Sequence, residues 1–382
     1  MKTVRITILG DIVPTSDRDI FIEGDADRLF SDLKNFTIGC DCVICNLEAP
    51  LTSATGKIEK SGPHLSAPQE CMNAIRKLGI TVASLANNHI LDYGTQGVLD
   101  TIAACKTYHI DYVGAGNDME AARTPLYVNT GDTVIGIMAV CDNECSAAGI
   151  HSSGANGYDE LETMDWIQQC RGGCDYLVVL YHSGLEHYQY PSPMLQRRCR
   201  KMIEKGANIV VCQHSHCIGA AEKYMGGDIL YGQGNTHFYR EGKDEQWNTA
   251  LLVTVELTDR ISNVRYIPIA MNGSCVSVAK GEKGEAILSE FEKRSEQVTN
   301  QTFVAHQWRC WNQNRESVYY GFLLGFGRYR AKLNQLTGNL IGKLLLPSKK
   351  RTVLANIVRC ESHRESMLEV LEKNRYESRG SL

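Results

Sequence analysis

SLANNHILDYG, residues 84–94, joins an apolar run to a cluster of polar side chains. The apolar run TVASLA breaks off at Asn87, Asn88 and His89, and Asp92 and Gly94 follow within five residues. A buried strand that ends in polar side chains delivers them to the edge of a sheet, where α/β proteins hold their ligands. Amide oxygen, imidazole and carboxylate together make half of a metal or acid–base site. The other half has to come from elsewhere in the chain.

The same pattern recurs on both sides. TVRITIL, residues 3–9, ends at Gly10 and Asp11, and CVICNLEAPLT ends at Asn46 and Glu48. Downstream, CDYLVVLYHSGLE ends at His182 and Glu186, ANIVVCQHSHCIGA delivers His214 and His216, and DILYGQGNTHF delivers Asn235 and His237. Between these runs, residues 25–38, 68–78, 95–108, 159–171 and 193–205 carry helical spacing. YVNTGDTVIGIMAVC predicts a hairpin turning at Thr130-Gly131-Asp132, and residues 249–257 and 263–270 predict a closing antiparallel edge. Alternation of this kind predicts a layered α/β domain over 1–275. From about 285 to 382, helical spacing and charge take over, which predicts a basic helical extension.

A chain of 382 residues with a formal charge of −4 shows no overall bias toward nucleic acid. The charge is unevenly placed. Residues 301–382 hold 14 Lys and Arg against six Glu and no Asp, a net +8. Such a tail suits peripheral contact with an anionic membrane or an acidic polymer, although a solvated helical face is the commoner reason for it. Fifteen cysteines, scattered through apparent strands and helices, indicate a reducing, cytoplasmic setting. CDCVIC alternates like a strand and has no second CxxC, so Cys40, Cys42 and Cys45 read as small apolar residues. VRITILGDI runs straight into a strand with no leader pattern before it, and no window reaches the ~18 apolar residues of a bilayer span.

Five strand ends therefore offer candidate ligands: Asp11, Glu48, Asn88 with His89, His182, and His214 with His216. Carboxylate, imidazole and amide oxygen suit one or two divalent ions of the Mn²⁺, Fe²⁺ or Zn²⁺ type. Such ions bind a phosphate ester and activate water. Taken singly each residue has a plainer reading: Asp11 as a turn former, Asn87-Asn88 as a helix cap, any one His as a hydrogen-bonded core residue. Their coincidence at five strand ends is what points to a shared site. There is no GxSxG elbow and no P-loop, and GAGNDMEA at 114–121 reads as a strand-end turn rather than a dinucleotide loop.

GDIVPT, CNLEAPLT, SLANNHILDYG, YVGAGNDMEA, YHSGLEHYQYP, CQHSHCIGAAEKY and LYGQGNTHF, in that order over residues 4–270, resemble the CapA family of capsule and poly-γ-glutamate synthesis proteins. The resemblance implies the calcineurin-like metallophosphoesterase fold, a four-layer α/β/β/α sandwich with metals between two sheets. It implies Asp11 and His216 on a first metal, Glu48 as the bridging carboxylate, and Asn88, His182 and His214 on a second. His89 would be the general acid with Asp92 orienting it, and Asn46, Asn87, Glu186 and Asn235 would line the substrate pocket. The chain departs from the metallophosphoesterase pattern at Val13, where DxH has its histidine, at Glu48, where Asp is usual, and at Cys212 and Ser215 around the last histidines. Two functions are expected: a metal-dependent hydrolase acting on an anionic substrate or polymer precursor, or a non-catalytic accessory subunit of polymer-synthesis machinery.

Overall fold

A computed structural model describes residues 3–258 and 261–378. In chain order its strands are β1 (Val4–Ile12), β2 (Cys42–Leu47), β3 (Val82–Ser84), β4 (Asp111–Val113), β5 (Ala115–Gly116), β6 (Leu126–Asn129), β7 (Val134–Cys141) and β8 (Gly154–Ala155). There follow β9 (Tyr176–His182), β10 (Ile209–Gln213), β11 (Ala221–Tyr224), β12 (Gly227–Leu230), β13 (Asn235–His237), β14 (Thr249–Thr258), β15 (Ile261–Asn272) and β16 (Cys275–Val278).

Two sheets face each other. The first runs β16-β15-β14-β1-β2-β3-β4, with β13 added beside β1, and the second runs β11-β12-β10-β9-β7-β6. In the first, β1 to β4 are parallel and the β14–β16 side is antiparallel; in the second, the central strands are parallel and both edges antiparallel. Parallel strands put their carboxyl ends at one edge, so β1, β2 and β3 of one sheet and β9 and β10 of the other all finish at the same side of the molecule.

The period of two along each strand settles which side chains meet. Ile135, Ile137, Ala139 and Cys141 of β7 belong to the core between the sheets, with Ile8, Ile44, Val178 and Val211. Their neighbours Met138 and Val140 point the other way, onto Ile167, Cys170, Cys199 and Met202 of the helices Thr163–Gly172 and Pro193–Glu204. Strands buried on both faces are apolar at nearly every position, and each fully buried large side chain contributes about 1.5–3 kcal/mol. Helix Pro193–Glu204 forms where the sequence specifies it. Ser192 caps it by accepting from the Leu195 amide at 3.1 Å, Pro193 opens it, and Leu195, Cys199, Met202 and Ile203 make one apolar face. The other sheet is covered by helices that include Met72–Leu78 and Gly94–Thr107, completing the α/β/β/α order.

Three local expectations need correcting. TVASLA is strand only over Val82–Ser84, because Asn87 N–H turns back to Leu85 O and ends the ladder. The helical spacing at 25–38 is split into an α-helix, Ala26–Phe30, and a tighter 3₁₀ stretch, Ser31–Phe36, with Ser31 at φ 37°. The boundary expected between 275 and 285 moves to 305/306. Helix Gly281–Val298 belongs to the first unit: Phe291 enters the core between the sheets, Val298 joins the outer cluster, and Arg294 donates to Gly219 O at 2.9 Å.

The second unit, from His306 on, is helical. Its helices Glu316–Leu324, Arg328–Leu336 and Leu340–Leu345 gather around Tyr320, Asn334 and Gly342. Asn334 Oδ1 accepts the Gly342 amide at 2.7 Å, and a side chain at Gly342 would strike the Tyr320 ring. Among the described residues no helix is long and apolar enough to cross a membrane.

Candidate metal and acid–base centre

The end of β1 is shaped to bring a carboxylate into the cleft between the sheets. Pairing with β2 slips between Ile8 and Asp11, a bulge that lets β13 lie beside the last residues of β1, with Asp11 opposite Asn235. Only glycine fits at the slip, since a Cβ on Gly10 would overlap the Gly234 carbonyl oxygen. Asp11 is thereby wholly buried, and one of its oxygens, Oδ1, accepts from Asn46 Nδ2 at 2.7 Å.

The two histidines after β10 are aimed by backbone strain. His214 at φ 89° and His216 at φ 52° both occupy the left-handed region, which non-glycine residues visit at a cost of about 1–3 kcal/mol. The turn sends their imidazoles to different parts of the cleft, with ring centres 5.9 Å apart. His182 Nε2 stands 3.2 Å from His214 Nδ1, 3.2 Å from Asn88 Oδ1 and 3.4 Å from Glu48 Oε1. Ligand atoms about 2.1 Å from a common ion in tetrahedral arrangement lie about 3.4 Å apart, so each of these separations matches the edge of a coordination shell. On the other side of Glu48, His216 Nε2 is 4.0 Å from Oε1 and its Nδ1 is 3.4 Å from Asp11 Oδ2. Glu48, His214 and His216 offer ligand atoms within 4.8 Å of one another.

The electrostatics of this cluster call for a cation. Asp11 Oδ2 and both oxygens of Glu48 are buried without a hydrogen-bond partner, and among the described residues neither carboxylate has a Lys or Arg ion pair. Burial, then the neighbouring Asp11 charge, pushes Glu48 well above the usual carboxylate range. Burial also raises Asp11, but the neighbouring imidazoles of His216 and His182 and the Asn46 amide outweigh it and hold the group below its ordinary value. Burial, with His214 beside it, lowers His182 well below the ordinary imidazole value, and burial with His216 lowers His214. Neutral imidazoles beside unpartnered carboxylate oxygens suit a divalent metal.

The second element of the site is built on the opening stretch. Asp92 is fully buried and accepts from His89 Nδ1 at 2.8 Å and from the Leu65 amide at 2.7 Å. Its other oxygen pairs with Lys60 Nζ, which also lies 3.2 Å from His89 Nδ1 and 3.4 Å from Asn88 O. A carboxylate only accepts, so Nδ1 carries the hydrogen and Nε2 is left as the working nitrogen of His89. Burial lowers the pKa of this imidazole, against the opposing pull of Asp92.

The remaining candidates divide by exposure. Asn46, Asn87 and Asn235 are buried and engaged with the chain: Asn46 with Asp11 and His182, Asn87 with Leu47 O and Asn46, Asn235 with His216 Nδ1 at 2.9 Å and Trp247 O at 3.0 Å. Glu186 is exposed, and its charge reaches Glu48 and His214. Val13, where an imidazole is expected in metallophosphoesterases, is buried with its amide on His237 O at 2.7 Å. Sequence reading missed Lys60, Glu144 and Trp247. Lys60 sits in a polar loop with no periodicity, and Glu144, 3.8 Å from His214, follows a strand by three residues.

A family model described as "Bacterial capsule synthesis protein PGA_cap" matches residues 5–240. The capsule biosynthesis protein CapA of Bacillus anthracis is 30% identical over 257 residues, covering 64% of this chain and 61% of that protein. The PGA biosynthesis protein CapA of Bacillus subtilis is 29% identical, covering 58% of each. A probable polyglutamine synthesis accessory protein of Mycobacterium tuberculosis is 28% identical, covering 67% of this chain and 72% of that protein. The chain thus spans about three fifths of the length of the two Bacillus relatives. Among solved structures, a hypothetical protein from Thermus thermophilus aligns with a TM-score of 0.45 at 14% identity, over 72% of this chain and all of that one. The 5′-nucleotidase of Candida albicans aligns at 0.40 and 8%, over 80% and 57%. The family match spans more than half of the chain and contains all the clustered carboxylates and imidazoles, so this protein belongs to the bacterial capsule synthesis protein PGA_cap family.

Proposed function

We propose that the protein is a metal-dependent hydrolase of the phosphoesterase type, acting on an anionic ester in the making of capsule or poly-γ-glutamate. The observation that carries this reading is the set of three buried carboxylate oxygens, on Asp11 and Glu48, left without partners among neutral imidazoles. Glu48, Asn88, His182 and His214 would hold one divalent ion, and Asp11, Glu48 and His216 a second. When bound, such an ion supplies Lewis acidity, drawing charge from a phosphoryl oxygen and activating water. Asn235 accepts the Nδ1 proton of His216 and so turns its Nε2 lone pair toward Glu48, which makes Asn235 a positioning residue rather than a pocket wall. Asn46 and Asn87 do the same for Asp11 and for the His89 backbone, whose N–H donates to Asn87 Oδ1 at 3.1 Å.

His89, held by Asp92 and Lys60 through Nδ1, would take up a second proton at Nε2 and, as the imidazolium, give it to the leaving oxygen. Glu186, exposed near Glu48, would face substrate and select against groups of high negative charge on that side. The fifteen free cysteines favour a reducing compartment. Hydrolysis of bis(p-nitrophenyl) phosphate by protein stripped with chelator and reloaded with Mn²⁺ or Zn²⁺ tests the reading. Turnover that requires the metal and falls at least ~100-fold in His89→Ala is expected, and metal-independent or absent turnover would sink it.

A second reading is favoured by Val13, which removes one ligand from the Asp11 side and leaves that position apolar and closed. In it the cluster binds metal or an anionic chain without turnover, as an accessory subunit of polymer-synthesis machinery. Metal binding without turnover, together with full function of His89→Ala in vivo, distinguishes it.

A further inference from the structure

The second unit has only a small core. Its centre holds Tyr320 and Leu346 beside a polar residue and a glycine: Asn334 is 0% exposed and bonded within the unit to Gly342 N and Asn339 Oδ1, and Gly342 is packed on Tyr320. Many of its large apolar side chains point outward, with Tyr329 89% exposed, Phe322 75%, Leu336 75% and Leu344 70%. Folding in water normally places such residues inside, and contiguous exposed apolar surface marks an interaction site.

The pattern is ordered rather than scattered. In helix Arg328–Leu336, Tyr329, Leu333 and Leu336 stand at i, i+4 and i+7, one continuous stripe, and all three are exposed. Arg328 and Lys332 form the adjacent row one position back. In helix Glu316–Leu324, Tyr319, Phe322 and Leu323 repeat the arrangement at i, i+3 and i+4.

Charge says what covers this surface. Residues 317–360 contain eight Lys and Arg and no Asp or Glu. Arg328, Arg330, Lys332, Lys349 and Lys350 are exposed, and none has an acidic partner among the described residues. A second copy of the same unit would bring like charge against like, whereas an anionic bilayer surface complements the cations and takes up the apolar side chains together. The helices are too short to cross, which leaves them in the plane of the interface.

We propose that residues 316–360 are a docking surface for an anionic lipid bilayer, with Tyr319, Phe322, Tyr329, Leu336 and Leu344 entering the headgroup and upper acyl region and the basic rows resting on lipid phosphates. The bilayer contact is built into this unit's own helices and is independent of the metal cluster.

Sedimentation of the full-length protein with vesicles tests it, using phosphatidylcholine alone or equal parts phosphatidylcholine and phosphatidylglycerol. The protein is expected in the pellet with the anionic vesicles and in the supernatant with the neutral ones, with binding weakened by added salt. A triple variant, Phe322→Ser, Leu336→Ser and Leu344→Ser, and a charge variant, Arg328→Gln, Arg330→Gln, Lys332→Gln and Lys349→Gln, should each lower binding at least about tenfold. The charge variant alters only exposed side chains and decides the matter if circular dichroism shows the serine variant has lost helix. Absence from the anionic pellet, or equal binding to neutral vesicles, overturns the proposal. So does self-association in the ultracentrifuge, or capture by soluble poly-glutamate, in protein that leaves the vesicles unbound.

Discussion

Lys60 is the residue on which the acid–base half of the site turns. Its ammonium ties Asp92 in place, and Asp92 in turn fixes the His89 ring. Lys60→Met is expected to lower kcat for phosphoester hydrolysis about tenfold with little change in KM, and Lys60→Arg to restore part of it; steady-state kinetics reads the split. Asn235→Ala frees the His216 ring and should weaken metal binding about 10–100-fold in calorimetric titration. His237 gives a pH signature away from the ligands. Burial between Phe21 and Phe30 pushes its imidazole down to about 4, its Nε2 donates to Ser274 O at 3.0 Å, and its Nδ1 is buried without a partner. Because the folded value lies below the unfolded one, ~6.5, the unfolded chain binds more protons between them. Stability is complete above ~6.5 and falls as pH drops toward 4, by on the order of 3 kcal/mol. Urea midpoints of His237→Phe across that range should show a flatter pH slope than the parent. Sequence made Asp11, Glu48, Asn88, His182, His214 and His216 legible as candidates because each follows an apolar run. Lys60 was illegible because a loop carries no period, and the inward aim of Asn235 depends on Trp247, twelve residues on.

At the scale of elements, the bulge at Gly10 is the step that seats Asp11. Gly10→Ala forces a methyl into the Gly234 backbone and should cost about 3 kcal/mol or more, with loss of metal binding in the same variant. Gly172, at the end of helix Thr163–Gly172 with open space around its Cα, is the control: Gly172→Ala should be neutral or slightly stabilising. Chemical denaturation of the two side by side separates a packing clash from a general intolerance of alanine. The succession of the main strands along the chain and the hairpin at 130–132 were readable from period and turn chemistry, whereas their order within the sheets was not. The insertion of β13 beside β1 was not, since three residues of strand leave no pattern of their own and the slip depends on two glycines far apart in sequence. The short β3 shows the converse: its apolar run continues past Ser84 because Leu85 and Ala86 are buried under the turn, not because the strand goes on.

The whole molecule divides its properties between two units. All the residues clustered around Glu48 lie before Ala305, and the acid-free basic run lies after it. A chain ending at Asn314 is therefore expected to keep its metal affinity within about twofold. The formal charge of −4 conceals this division, since the last 82 residues alone carry +8. The claim on which the functional reading depends is that the unpartnered oxygens of Glu48 and Asp11 are metal ligands. Calorimetric titration of chelator-stripped protein with Mn²⁺ and Zn²⁺, for the parent and for Glu48→Gln, measures it directly. Saturable binding in the parent, reduced at least ~100-fold in Glu48→Gln, is expected; no binding in the parent, or equal binding in both, would contradict it.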